Sequence, residues 1–474
     1  MGNVESNSSY QKHLSRFLSD EVADIDAVFS ALSGAEEAVV VKMGKKAQTR
    51  VSLEALKAYV KDSLPPSMVT RLYSGMRSIQ ETHQKHPGDP EPSTWLAKEQ
   101  FVVFTSTLFK GNAQEKCGIV LKMVSDAQKT VKGSQILEFA GDLISSVVYV
   151  LNYRKLLKGW KPKKLNNSVS SVKALATQLV SELRSAEGKK MEGASALDAT
   201  CDQKSIEDWL FRVPQISTFL KVVLQQGLLL LQPLSDEANE ILHLLPECRG
   251  LQGTALVSLL DVPSIIYLNA HLPSELRDRW QLLFASRVHG ESFTQLCGHI
   301  VNKGPCLLVL KDTDGYIFGG FASCSWEVKP QFQGNNMCFL FSISPSLAVF
   351  TYSGYNNHYM YLNHGQQTMP NGLGMGGQHE YFGLWVDSNY GQGHSKAKPR
   401  CTTYNSPQLS AKENFLLDSM EVWAVGDFPE AKNGKGQKSI LDSDPEAQAL
   451  LEMMGKSRQS DGFREPPEDE EGDN

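Results

Sequence analysis

The feature that most constrains the fold is a change of hydrophobic period along the chain. From Phe17 to Val150 apolar residues recur mainly at helical spacing, whereas from about Leu282 β-rich runs separated by turn residues take over. At 474 residues the chain is also longer than one hydrophobic core usually organises. We therefore predict an α+β protein in which an all-α half precedes a β-sandwich.

Segments of the helical half resemble EF-hand units that lack calcium ligands. Asp24–Gly34 is an amphipathic helix ending in glycine, Arg50–Tyr59 restarts a helix, and Lys132–Phe139 resembles the exit of a second unit. Calcium requires oxygen ligands at loop positions 1, 3, 5 and 12. We therefore expect residues 17–165 to form an EF-hand-like domain without calcium, because those positions hold Gly44, Lys46, Gln48 and Ala55. A helical bridge over 166–243 follows, with helices predicted at Val169–Leu183, Ile206–Phe211 and Ile216–Leu231.

Short strands separated by turn residues fill the second half. Cys306–Lys311 and Tyr316–Phe321 flank Asp312–Gly315, which predicts a hairpin. Its D-x-D-G resembles the start of a calcium loop, but Ser323 stands where the loop needs its final glutamate. Seven or more short strands favour a sandwich. The remaining strands are predicted at Met337–Ile343, Ala348–Tyr352, Tyr359–Leu362, Glu380–Asp387, Cys401–Tyr404 and Met420–Val425.

Gly372, Gly374 and Gly377 have the G-x-G-x-x-G spacing of dinucleotide-binding turns. That turn must lead from a strand directly into a helix N-terminus, where the pyrophosphate binds. Here the aromatic and β-branched run Glu380–Asp387 follows instead and reads as a strand. The glycines therefore predict a sharp turn between two strands and no nucleotide cofactor.

The N-terminus fits a lipid anchor. MGNVES matches M-G-x-x-x-[ST], so residues 1–16 are predicted to be an N-terminal segment myristoylated at Gly2. One myristoyl chain binds membranes only marginally and needs a second signal. A basic cluster either supplies an anionic-lipid contact or is an ordinary solvated loop: Arg154, Lys155, Lys158, Lys161, Lys163 and Lys164. The apolar runs Leu143–Leu151 and Gly227–Leu231 are too short to span a bilayer.

A separate helix is predicted near the C-terminus. Residues 428–441 read as a flexible linker, and Asp444 and Pro445 begin a helix within 442–457. One apolar stripe marks it as a partner-binding helix or as a helix that packs on its own sandwich: Ala447, Leu450, Leu451 and Met454. Residues 458–474 form an acidic tail predicted to be disordered, and its residues from 459 onward carry a net charge of −6, equal to that of the whole chain. The rest of the chain has no net charge, so it offers no broad basic surface for nucleic acid.

No residue pattern indicates a catalytic or metal site. G-x-S-x-G, P-loop and H-E-x-x-H motifs do not occur, and the eight cysteines have no metal-ligand spacing. His358, His364, His379 and His394 lie in a Gly-rich stretch without supporting acids or thiols. The competing enzyme hypothesis is a low-pKa thiolate beside a cation, at Arg400-Cys401 or Lys116-Cys117.

Six motifs, in order and spacing, resemble the TLDc domain over about Pro246–Asp427, which we place at 244–427: Ser286–Phe293, Phe318–Trp326, Phe382–Asp387, Gly393–Ser395, Cys401–Tyr404 and Glu421–Val425. The connection Lys396–Pro399 is longer and more basic than the usual motif. The resemblance implies a β-sandwich edged by helices, without an accepted catalytic site. It also implies association with the vacuolar proton-pumping ATPase and a link to oxidative-stress resistance.

Together with the myristoylation pattern and the helical half, the whole chain resembles the lysosomal, mTOR-associated branch of that family. We therefore expect a non-enzymatic adaptor, tethered through its myristoyl group to the cytoplasmic face of the lysosomal membrane or free in the cytoplasm. It would bind the proton pump and support mTOR nutrient signalling. The alternative is a thiol-dependent antioxidant protein.

Overall fold

A computed structural model describes most of the first 427 residues. The described ranges are 10–34, 39–43, 46–79, 95–126, 129–161, 165–184, 197–232, 244–251, 253–378 and 380–427.

Helices dominate the chain up to Gly227. They are α1 (Ser19–Ser33), α2 (Leu53–Val60), α3 (Pro66–Arg77), α4 (Lys98–Lys110), α5 (Ala113–Val124), α6 (Gly133–Tyr153), α7 (Leu165–Val180), α8 (Gln203–Arg212) and α9 (Pro214–Gly227). Side-chain caps explain several starts, since Ser52, Asn112 and Asp202 each accept a hydrogen bond from a backbone N–H in the first turn. Gly34 follows α1, as the sequence predicts.

Short strands precede four of these helices. Val39–Met43 (β1), Lys46–Val51 (β2) and Leu96–Ala97 (β3) form one small sheet, and Val131–Lys132 (β4) pairs with Thr200–Cys201 (β5). The prediction that a helix restarts at Arg50 is therefore wrong. Arg50 and Val51 belong to β2, and the helix begins only after the Ser52 cap.

The second half is built from twelve strands and three helices within the described ranges. The helices are α10 (Val262–His271), α11 (Ser286–His289) and α12 (Phe293–Ile300). The strands are β6 (Glu247–Arg249), β7 (Arg279–Ala285), β8 (Cys306–Asp312), β9 (Ile317–Ala322), β10 (Lys329–Gln333), β11 (Phe339–Ser344), β12 (Ala348–Phe350), β13 (Met360–Asn363), β14 (Gly372–Met375), β15 (Leu384–Asp387), β16 (Gln392–His394) and β17 (Asn414–Val425).

The long strand β17 joins two sheets. Its first residues pair with β16 and continue the order β10-β13-β14-β15-β16-β17, which we call the second sheet. Its later residues pair with β7 and β8 in the order β6-β7-β17-β8-β9-β11-β12, the first sheet. Pairing is antiparallel except between β6 and β7. Asn414–Leu416 of β17 thus belong to the second sheet, and Glu421–Val425 of the same strand belong to the first sheet.

The first sheet is covered on both faces. Leu308 and Leu310 of β8 enter the core between the two sheets, whereas Leu307 and Val309 enter the core shared with the helices. Trp423 of β17 also belongs to the helical side. The order of layers is therefore helices, first sheet, second sheet, and this agrees with the expected mixture of a helical half and an antiparallel β domain.

Helix α6 is the central helix of the helical layer. Within the described ranges it is also the one helix whose length and composition would suit a membrane span. Half of its most apolar window is buried in the fold, and its Asp142 pairs with Arg71 at 2.8 Å. These contacts are those of a core helix.

Two strand assignments made from sequence are wrong. Cys401–Tyr404 is a turn closed by the Asn405 N–H bonding to the Cys401 carbonyl at 2.7 Å, because its side chains anchor neighbouring loops. Gly372–Met375, expected as a turn, is strand β14, and the strand predicted from Glu380 begins only at Leu384.

Candidate interaction surface

The D-x-D-G segment after β8 is a structural hairpin, as predicted. Asp312 is fully buried, and its two carboxylate oxygens accept from the backbone N–H groups of Tyr316 at 2.8 Å and Ala411 at 3.0 Å. Strands β8 and β9 pair antiparallel across this turn. A carboxylate so engaged ties the hairpin to a neighbouring loop.

The glycines of the G-x-G-x-x-G motif make room for aromatic rings. Gly374 pairs directly with Trp385 across β14 and β15, and a Cβ atom there would lie 2.8 Å from the Trp385 ring. At Gly372 a Cβ would lie 2.3 Å from the same ring. Gly377 has φ +88°, which its turn requires. The motif thus builds the outer face of the second sheet, and no helix follows it.

Three loops interlock at one end of the second sheet. Thr403, fully buried, donates to the Asn356 side chain at 2.7 Å and accepts from the Gly377 N–H at 2.8 Å. The Ser353 N–H donates to the Thr403 carbonyl at 2.8 Å. The imidazole of His358 is 2.6 Å from the Gly377 carbonyl. We call residues 353–358, 376–382 and 396–406, without residue 379, the loop surface.

Buried side chains of the sequence motifs hold this end of the domain. The Ser395 hydroxyl donates to the Gly383 carbonyl at 2.7 Å and accepts from the Leu409 N–H at 2.8 Å. The Tyr404 hydroxyl donates to the Tyr359 carbonyl at 2.8 Å. The motif residues therefore act as a frame for the loops.

The loop surface presents aromatic and cationic side chains to solvent. Tyr355 is 78% exposed and Tyr381 is 54% exposed, whereas large aromatic side chains are usually buried. Lys398 pairs with Glu413 at 2.9 Å yet remains 66% exposed, and Arg400 is exposed beside it. Tyrosine and arginine on a rigid frame are typical of protein interfaces. The sequence pointed to the basic segment, but nothing in it marked Tyr355 or Tyr381.

The basic cluster after α6 joins the helices to the first sheet. Arg154 donates to the Gln226 carbonyl at 2.9 Å, Lys158 donates to the Leu245 carbonyl at 2.9 Å, and Lys161 donates to the Thr254 carbonyl. These three cations therefore have structural bonds, and neither of the two sequence interpretations anticipated them. Lys163 and Lys164 lie outside the described residues.

Both candidate thiols are removed from water. Cys401 is 3% exposed and Cys117 is fully buried, and burial raises the pKa of each. The Arg400 guanidinium donates instead to the Asn405 carbonyl at 3.0 Å. A reactive cysteine needs an exposed, electropositive site that lowers the pKa of its thiol. This geometry argues against the thiolate hypothesis.

The histidines considered as metal ligands are dispersed among aromatic rings. His358 stacks on Phe332 with ring centroids 4.0 Å apart, and His394 stacks on Trp385 at 5.9 Å. His364 packs near Phe293, while His379 lies outside the described residues. Among the residues that the structure covers, no three His, Cys, Asp or Glu side chains form a group able to hold a metal ion.

The predicted lipid anchor and the predicted partner-binding helix belong to segments at the two ends of the chain. Gly2 and the apolar stripe lie outside the described residues, the stripe being Ala447, Leu450, Leu451 and Met454. Both therefore stay predictions.

Two antiparallel sheets that share one long strand, flanked by helices and closed by interlocked loops, are the architecture expected of a TLDc domain. The TLDc domain family model matches residues 256–426, which confirms the resemblance read from the motifs. Nuclear receptor coactivator 7 of Homo sapiens is 33% identical to this chain over 169 residues, which cover 35% of this chain and 17% of that protein.

Similarity over the full length is more specific. The chain is 62% identical over 474 residues to the MTOR-associated protein MEAK7 of Gallus gallus, with all of both chains covered. It is 54% identical over 470 residues to the protein of that name from Homo sapiens, covering 99% of this chain and 100% of that one. The chain belongs to the family of the MTOR-associated protein MEAK7.

Proposed function

We propose that the protein is a non-enzymatic adaptor of the mTOR pathway, tethered by N-myristoylation to the cytoplasmic face of the lysosomal membrane, where it binds the vacuolar proton-pumping ATPase. The observation that carries the mTOR link is full-length similarity to relatives named MTOR-associated protein MEAK7. The pump as partner is supported by the TLDc match, because the family resemblance implies that association.

The loop surface is the part of the described structure best suited to such binding. It combines exposed Tyr355, Tyr381 and Arg400 with a frame of buried hydrogen bonds, so little side-chain and loop entropy is lost on association. The C-terminal helix is proposed as a second, helix-in-groove contact. The acidic tail would keep that helix soluble.

A pull-down from detergent-solubilised lysosomes, read by mass spectrometry, tests the proposal. Wild-type protein is expected to capture pump subunits and mTOR pathway components. One double variant combines Tyr355→Ala with Tyr381→Ala, and a second combines Leu450→Asp with Leu451→Asp. Each is expected to capture less pump than wild type. Phe211→Ala is the matched control, because Phe211 is 79% exposed on α8 and belongs to neither of the two proposed contacts. Equal pump capture by all four proteins would contradict both proposed contacts.

The membrane tether and the thiol alternative have separate tests. Gly2→Ala should move the protein from lysosomal membranes to the cytosolic fraction, because acylation requires the N-terminal glycine. Unchanged fractionation would show that another contact holds it there.

Purified wild-type protein is expected to consume no peroxide. Turnover that is lost in Cys401→Ser would instead establish the antioxidant function.

A further inference from the structure

An apolar cavity of about 580 Å³ lies beside α6, between that helix, α7 and the start of α10. Its wall is formed mainly by Leu137, Val148, Leu157, Val172, Ala176 and Val262. Proteins use pockets of about 300–1,000 Å³ with apolar walls for small organic ligands. The cavity is separate from the loop surface and has no part in the contacts proposed so far.

The charged groups at the cavity exclude most acidic occupants. Glu138 and Asp142 line one side and pair with Arg71, Asp261 caps α10, and Lys173 supplies one cation. With three carboxylates against Lys173 and Arg71, the rim disfavours a free fatty acid, whose head group is anionic. It equally disfavours the predicted C-terminal helix, which carries Glu446 and Glu452 beside its apolar stripe.

We propose that this cavity takes the myristoyl chain attached to the protein's own Gly2, so that the anchor is stored inside the helical layer and released to a membrane. An amide-linked hydrocarbon chain is apolar along its length and uncharged at its head, which matches the wall and the rim. The inference rests on the myristoylation in the proposed function and adds a site and a regulation to it.

The segment that precedes α1 is bound to α5, and the other end of α5 is linked to the cavity wall. Arg16 is paired with Glu115 near the start of α5, and Arg71 donates to the Met123 carbonyl near its end while binding Asp142 on the cavity wall. The rise of an α-helix separates residues 115 and 123 by about 12 Å. The eight residues from Gly2 to Tyr10 can span up to about 26–29 Å, and the acyl chain adds to that.

A storage site would decide how much protein is bound to membranes. A single myristoyl chain holds a protein on a bilayer with an association constant of only about 10⁴ M⁻¹. An intramolecular site therefore competes effectively with the membrane. Filling the cavity should shift the protein toward the membrane, whereas removing the acyl chain should release it.

Gly141 offers a substitution that fills the cavity without disturbing the fold. It lies on α6 in the cavity wall, and a Cβ atom built there would have no atom within 4 Å. Leucine is also a better helix former than glycine, so Gly141→Leu should fold. Gly298→Leu is the matched control, since Gly298 is an exposed helical glycine on α12 with equally open space.

The test compares full-length wild type, Gly141→Leu, Gly298→Leu and Gly2→Ala, each co-expressed with N-myristoyltransferase and checked by intact mass. In flotation with phosphatidylcholine vesicles, Gly141→Leu should bind severalfold more than wild type, and Gly298→Leu should match wild type. In vesicle-free buffer, the methyl NMR signals of Val148 and Val172 should differ between acylated wild type and Gly2→Ala.

Three results distinguish failure of the storage site from failure of the membrane tether. Equal vesicle binding of acylated Gly141→Leu and wild type, with unmoved methyl signals, would overturn the storage site while leaving the tether intact. Methyl signals that move only on deletion of residues 442–457 would show that the C-terminal helix occupies the cavity. A mass without the acyl group would remove the tether itself and, with it, the stored chain.

Discussion

Gly374 lies under aromatic rings on the outer face of the second sheet. A Cβ atom there would be 2.8 Å from Trp385 and 2.9 Å from Phe382, closer than such atoms can approach. We expect Gly374→Ala to lower the free energy of unfolding by about 1–3 kcal/mol, the usual cost of overpacking. Urea denaturation measures it, with Gly298→Ala as the control in open space. An unchanged midpoint for Gly374→Ala would show that the rings rearrange freely.

The same residue shows where sequence reasoning stops. The G-x-G-x-x-G spacing is identical whether glycines approach a phosphate or an aromatic ring, and only the absence of a following helix argued against the phosphate. The ring that explains Gly374 is its cross-strand partner Trp385. Strand register depends on turn geometry and on which face is buried, and neither could be read before the sheet was known.

Buried thiols make the fold sensitive to alkaline pH. Burial raises the pKa of Cys248 to about 12, with Glu421 as a smaller cause. The folded state therefore favours the neutral thiol. This stabilisation is complete below the unfolded thiol pKa of about 8.5 and is lost as pH rises toward the folded value. Between about pH 8.5 and 10, ionisation of this thiol in the unfolded chain should lower the free energy of unfolding by about 1.4 kcal/mol per pH unit.

Cys248→Ala checks this directly. Urea titrations of both proteins across that pH range should show a shallower decline for the variant, by about one proton per molecule. The comparison of slopes is independent of any constant loss from the smaller side chain. Parallel slopes would mean that Cys248 ionises in the fold as readily as in the unfolded chain.

At the scale of elements, the segment after α6 couples the helices to the first sheet. Trp160 packs against Trp423 and Trp280 with ring centroids 4.9 Å and 5.7 Å away, and its indole N–H donates to the Pro246 carbonyl at 2.9 Å. Gly159 has φ +89°, and a Cβ there would meet the Cys248 carbonyl at 2.6 Å. A glycine followed by tryptophan thus forms the joint between layers.

Trp160→Ala should lower the free energy of unfolding by about 3–5 kcal/mol, because it leaves a cavity between the layers. Trp160→Phe should cost less, since it keeps a ring but loses the hydrogen bond to Pro246. Phe211→Ala, at a 79% exposed site, should stay within about 0.5 kcal/mol of wild type. Equilibrium unfolding in urea measures all three, and equal effects of the three substitutions would contradict the joint.

Elements with strong local signals were predictable, and those defined by distant partners were not. The hairpin around Asp312 and the glycine after α1 follow from local turn and cap chemistry. Cys401–Tyr404 has strand-like residues, yet it turns because Thr403 bonds to Asn356 and Gly377 from other loops. The loop surface could not be foreseen for the same reason, since its frame joins residues far apart in sequence.

At the scale of the whole molecule, the change of period predicted the two kinds of structure but not how they pack. The continuous apolar run of β8 was the available clue, because a strand buried on both faces loses its alternation. Its neighbouring residues Leu307 and Leu308 do enter different cores. The helical half is therefore a layer on the first sheet, and one apolar core runs from Phe17 to Val425.

This shared core predicts how the protein unfolds. The described residues up to Asp427 form one compact unit, and the helices bury a face of the first sheet that includes Trp280 and Trp423. Neither layer can lose the other without exposing that face to water, so both should melt in one transition. Differential scanning calorimetry of the full chain should give equal calorimetric and van't Hoff enthalpies. Trp160→Ala should separate the layers and broaden or split the peak, whereas Phe211→Ala should preserve one transition. Two resolved transitions in wild type would show that the helices and the sheets fold as independent domains despite their common core.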